Sequence, residues 1–286
     1  MDNSTSRREY HAMLAFACPG APRSTPSPGG TLEGLKHASS LGIRAMEIEW
    51  VQSVPKSIER MEAIRTIATH EKMALTVHAP YFVNLNSADP LKLQASKKRI
   101  IAALSMGQLA GVRSVCVHAA FYQMESPQKT NENIRRATDD ILKQKISLFP
   151  DVNLAYETMG KPTQWGTLDE TLLISKEFGL YPCVDPAHMH ARSNGKENSA
   201  EEWHAMLDRY AEVLGTKALQ TMHLHYSGIA YGPHGEKHHL PLEKSDARWK
   251  DFLRVLKERG VGGVCVCESP EMEEDTLLLQ KTYGTL

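Results

Sequence analysis

Six short apolar runs in this chain each end in an acid or an imidazole: Thr-Val-His78, Cys-Val-His118, Ala-Tyr-Glu157, Cys-Val-Asp185, Met-His223-Leu-His225 and Val-Cys-Glu268. An apolar run of this length, bounded by turn residues, reads as a buried strand. Each run would therefore deliver a metal-type or acid-base side chain just where the strand emerges into a loop. Asp185-Pro-Ala-His188 adds a second imidazole three residues beyond its carboxylate.

Between the runs lie helix signals. Ser57 caps a stretch with Met61, Ile64 and Ala68 on one face, and Asp89-Pro90 supplies a cap and a first-turn proline for a helix that Gly111 closes. Thr167/Glu170 and Ser199/Glu202 have capping-box spacing. Trp203, Met206, Leu207, Tyr210 and Val213 form one stripe, and Trp249, Phe252, Leu253 and Leu256 another. With strands at 12–18, 45–50, 73–78, 114–118, 152–157, up to Asp185, 219–225 and 262–268, the chain makes eight strand-helix cycles. That alternation predicts an α/β fold, a closed (β/α)8 TIM barrel in a single domain, with an open doubly wound sheet as the alternative. Strand parity favours closure. Thr76, Cys116, Ala155, Cys183, Thr221 and Val266 share a face with the terminal His and acid groups, while Val77, Val117, Tyr156, Val184, Met222 and Leu224 take the other. The polar set then points to the barrel axis at the carboxyl-terminal mouth, where barrel enzymes react.

With 286 residues the chain can bury one full barrel core, and residues 1–11 read as a disordered tail before a domain spanning 12–286. Lys+Arg 33 against Asp+Glu 34 gives no overall basic field, so an anionic partner must be attracted locally. Five cysteines without CxxC spacing, mostly within apolar runs, read as buried thiols of a reducing compartment. With no signal-peptide pattern and no apolar span of membrane length, the expectation is a cytoplasmic monomer without membrane contact.

His78, His118, Glu157, Asp185, His223 and Glu268 offer imidazole nitrogen and carboxylate oxygen, the donors of a hard or borderline divalent cation. A lone histidine of this kind is most simply a satisfied core group; six aligned strand ends are not. Gly235-Glu236-Lys-His238-His239 alone reads as a solvated loop, but beside His188 it offers a third donor set, with Glu236 and His238 two apart. His190, His225 and His239 are expected to orient ligands rather than bind metal. Tyr81-Phe82, after His78-Ala-Pro80, either pack down or project from the mouth as groups that stack on bases. Clustered divalent cations serve in-line phosphoryl displacement, so phosphodiester hydrolysis is favoured over two-metal sugar isomerisation.

In order, His78-Ala-Pro-Tyr-Phe, Val-His118, Tyr-Glu157-Thr-Met-Gly, Val-Asp185-Pro-Ala-His188, Met-His223-Leu, Gly-Glu236-Lys-His238 and Cys-Glu268-Ser-Pro resemble the endonuclease IV family of AP endonucleases, chiefly its archaeal-type branch, from about residue 12 to the end. The resemblance implies three zinc ions, with manganese an alternative at one site. His78, His118 and Glu157 would hold one, Glu157, Asp185, His223 and Glu268 a second, and His188, Glu236 and His238 a third. It implies catalytic roles for Glu157 and Glu268 and DNA contacts by Tyr81 and Phe82. The implied reaction cuts double-stranded DNA on the 5′ side of an abasic or damaged nucleotide flipped from the stack, as in base excision repair. Departures from the bacterial pattern are Glu236 for Asp, Ala-Ala after His118, Phe82 for an aliphatic residue, and no arginine in the loop after strand two. A sugar isomerase or epimerase of the related barrels is the competing reading, and a lesion-binding protein without turnover a third.

Overall fold

A computed structural model describes residues 13–286; the expected tail at 1–11 lies outside the described residues. Eight parallel strands form the barrel: β1 Leu14–Pro19, β2 Ala45–Glu49, β3 Ala74–His78, β4 Ser114–Val117, β5 Asn153–Tyr156, β6 Cys183–Val184, β7 Met222–Tyr226 and β8 Gly263–Cys267. Hydrogen-bonded neighbours run β5-β4-β3-β2-β1-β8-β7-β6. The ring closes between β5 and β6 through a single bridge, Glu157 to Cys183, with Thr158 N–H donating to the Cys183 carbonyl at 3.1 Å. The fold is thus the expected barrel, with one weak seam.

Capping chemistry sets the helix starts as the sequence predicts. The Ser57 and Asp89 side chains accept from backbone N–H groups of α2 (Ile58–His70) and α3 (Pro90–Ala110), and α5 (Leu168–Phe178) opens on a capping box of Thr167 and Glu170. The other ring helices are α1 Gly30–Ser40, α4 Pro127–Leu142, α7 Ala200–Leu214, α8 Trp249–Glu258 and α9 Glu273–Thr285, with a short α6, Pro186–Arg192, directly after β6. Parity along the strands also holds. Ala17, Ala45, Val264 and Val266 pack together in the barrel interior, as do Cys116, Ala155 and Cys183. Larger side chains such as Leu75, Val77, Val115 and Leu154 pack outward on the helices.

Two expectations are corrected. Residues 216–221 form a 3-10 helix, so Leu219 precedes rather than starts β7. The polar stretch after β7 is not a loop but an antiparallel hairpin, Gly228–Gly232 with Gly235–Leu240, folded over the carboxyl-terminal mouth against α6.

Candidate metal centre

The strand ends bring His78, His118 and Glu157 together with ligand atoms inside 4.8 Å of one another. Glu157 Oε2 stands 2.9 Å from His118 Nε2 and 3.6 Å from His78 Nε2. His78 donates from Nδ1 to the Ala79 carbonyl at 2.8 Å, which aims Nε2 at the centre. The second oxygen of Glu157 belongs to a further set, Glu157, Asp185, His225 and Glu268. His225 Nδ1 lies 3.2 Å from Glu157 and 3.3 Å from Glu268.

His223 is not part of that set; its place is taken by His225, the next residue on the same face. Two residues along a strand is about 7 Å, so His223 sits a layer deeper in the barrel. There both of its nitrogens are occupied, Nε2 by Glu47 at 3.0 Å and Nδ1 by the Ser114 hydroxyl at 2.8 Å. Glu47 also faces His225 Nε2 at 2.9 Å and accepts from Thr76 at 2.7 Å. It acts on His225 from behind, the carboxylate-imidazole pairing that orients a metal-binding histidine. Its signal was present in the sequence: an acid in mid-strand, with inward parity, in Met-Glu47-Ile-Glu49.

The third group likewise differs by one position. His188, Glu236 and His239 gather, whereas His238 is exposed. In the hairpin Tyr231 pairs with Glu236 but Ala230 pairs with His238, so Lys237 is an extra, bulged residue. A bulge shifts strand alternation by one, which puts His239 instead of His238 on the face of Glu236. His239 Nδ1 donates to the Glu268 carbonyl at 3.0 Å, and His188 Nδ1 to the Thr158 carbonyl at 3.0 Å, so both present Nε2 to the site. Gly160 makes the approach possible: a Cβ there would meet Glu236 at 2.7 Å and His188 at 3.1 Å.

The electrostatics follow from dense burial. Burial opposes ionisation of Glu157, but His225 and His118 outweigh it and hold its carboxyl well below the usual range. Glu268, against the same burial, is pulled to about 2 chiefly by His225. His225 is in turn kept protonated well above the usual imidazole range, Cys183, Glu268 and Glu47 outweighing burial, while burial pushes His223 down. Asp185 Oδ2 is buried with no hydrogen-bond partner among the described residues. An orphaned, buried carboxylate oxygen amid imidazole and carboxylate donors is what a divalent cation would satisfy, so the donor set fits such ions. Tyr81 and Phe82 project rather than pack down, 50% and 60% exposed, with the Tyr81 ring 5.3 Å from that of His118. His190, expected beside the ligands, pairs with Asp246 at 3.3 Å.

Residues 35–282 match the xylose isomerase-like TIM barrel family. The chain belongs to that family. An uncharacterized protein of Methanocaldococcus jannaschii is 34% identical over 274 residues, covering 96% of this chain and 98% of its own. A probable endonuclease 4 of Oceanobacillus iheyensis is 23% identical over 171 residues, 57% of this chain and 55% of that one. Endonuclease IV from Thermus thermophilus superposes with a TM-score of 0.72 at 19% identity, covering 95% of this chain and 98% of that one. A D-tagatose 3-epimerase-like protein superposes at 0.71 with 16% identity, covering 95% and 96%. Such structural likenesses fix the barrel and leave its chemistry to the site. Within this xylose isomerase-like barrel, the hairpin carrying Glu236 and His239 is the feature that extends the donor set beyond the strand ends. Among the described residues no helix is long and apolar enough to cross a membrane.

Proposed function

We propose that this protein is a metal-dependent phosphodiester hydrolase that cuts double-stranded DNA on the 5′ side of abasic sites. The observation that carries the reading is the convergence of three donor sets at one mouth, with Glu157 shared by two of them. Divalent cations held there, zinc in this reading with manganese an alternative at one site, would supply Lewis acidity and a water acidic enough to attack at neutral pH. His78, His118 and Glu157 would hold the first, Glu157, Asp185, His225 and Glu268 the second, and His188, Glu236 and His239 the third. In this reading His225 and His239 replace His223 and His238. Glu157 and Glu268 frame the reacting centre, each fixed by His225. Tyr81 and Phe82 stand exposed beside it, where aromatic faces can fill the space of an extruded nucleotide.

The endonuclease 4 relatives support DNA as substrate, and the third donor set argues against a sugar epimerase, for which one or two cations suffice. The test is incubation of the zinc-loaded protein with a duplex carrying one abasic site. A nick 5′ to the lesion that leaves a 3′-hydroxyl and vanishes with chelator is expected. An intact duplex, together with C3 epimerisation of a ketohexose, would replace this reading with the epimerase one.

A further inference from the structure

A cavity of about 920 Å³ lies at the opposite, amino-terminal mouth of the barrel, where the strands begin. Its floor is made by Thr76, Ser114 and His223, beneath the Glu47 and His225 pair that separates it from the cluster above. Its walls include Met73, Val112, Met222 and Val264. Three cations, Arg65, Lys72 and Arg113, stand on its rim against a single acid, Asp151, whose carboxylate already accepts from Gln108 at 3.1 Å.

Arg113 is the decisive group. Its backbone is pinned between strands, N–H to the Leu75 carbonyl and C=O to the Asn153 N–H, at the cavity mouth that the residue lines. Arg113 is partly buried, and burial lowers its proton affinity with no acid to offset it. Arg65 is steered to the same rim by lying across Gly111, where a Cβ would meet its Cγ at 3.1 Å. A partly buried guanidinium without a carboxylate costs free energy that an entering oxyanion would offset, and arginine suits planar, bidentate recognition of phosphate or carboxylate. The volume is that of a small-molecule site.

We propose that the amino-terminal mouth is a second binding site, for a small hydroxylated organic oxyanion whose anionic end rests on Arg113 and Arg65 and whose hydroxyls reach toward Ser114 and Thr76. The proposal is independent of the reaction at the other mouth. Calorimetric titration of the metal-loaded protein with glucose 6-phosphate and with gluconate tests it and separates a phosphate from a carboxylate head. Saturable binding of at least one probe is expected, unchanged in Glu157→Gln, weakened about tenfold or more in Arg113→Met, and partly recovered in Arg113→Lys. If Arg113→Met does not fold, Arg65→Met, on an exposed helix surface, must weaken binding severalfold. Absence of binding by both probes overturns the proposal. So does binding that survives the arginine substitutions and disappears in Glu157→Gln, which would put the anion at the metal centre.

Discussion

Glu157 carries more of the site than any other side chain, since its two oxygens face His78 and His118 on one side and His225 and His188 on the other. Glu157→Gln removes the charge that both sets need, so nicking of an abasic duplex should fall by at least about a hundredfold with loss of more than one bound metal. The hairpin histidines give a sharper comparison. His239→Ala should cost about 10- to 100-fold in affinity for the third cation, while His238→Ala, a change at an exposed position, should leave metal content and rate within about threefold. Glu49 gives a pH signature. Burial raises its carboxyl to about 8 from an ordinary 4.5, outweighing His78, and Oε1 has no partner. A carboxyl that keeps its proton in the folded state stabilises most at low pH, and that stability is lost as pH rises from about 4.5 through about 8. In the chelated protein, Glu49→Gln should therefore flatten the fall in stability over that range and raise stability at pH 8 by roughly 2–4 kcal/mol, read by urea unfolding. No gain at pH 8 would mean the carboxyl ionises freely. At this scale the sequence was most informative where a donor closes a strand, as in His78, His118 and Glu157. It was ambiguous where two histidines share a face, as in His223 and His225, because parity fixes the side and not the depth.

Local signals located elements well and their irregularities poorly. Ser57, Asp89 and the Thr167/Glu170 box mark helix starts because each side chain satisfies backbone N–H groups that the helix leaves unpaired. The hairpin over the mouth reads as a loop in the sequence, since Gly235–Leu240 is polar and Gly228–Gly232 is short and Gly-bounded, and the two pair with each other outside the barrel sheet. Its bulge at Lys237 is invisible to a period-two reading and moves the third donor from His238 to His239. Deleting Lys237 should remove the bulge yet leave Glu236 and His239 two apart on one face, so the third metal should be retained with the fold intact by circular dichroism; loss of one metal per chain would show that the bulge itself is needed to orient His239. Gly160→Ala should act on the same cation from the other side by pushing Glu236 outward.

Across the whole molecule, the ring is weakest between β5 and β6, and the two sides of that seam carry Glu157 and Asp185. A cation held by both would tie the seam shut. Amide exchange at Thr158 and Asp185, whose N–H groups donate across it at 3.1 and 2.8 Å, should slow on metal loading, with little change at β1 and β2. The barrel itself was legible because eight alternating cycles admit few topologies, but the two-ended use of its axis was not. Glu47, His223 and Ser114 reveal themselves as a divider between two mouths only once the ring is closed. The central claim, that side chains scattered from position 78 to 268 form one trinuclear centre, is tested most directly by anomalous scattering from crystals of the metal-loaded protein. Three peaks at the carboxyl-terminal mouth, one of them bounded by His188, Glu236 and His239, are the predicted result; a single peak among Glu157, Asp185, His225 and Glu268, with nothing at the hairpin, would contradict it.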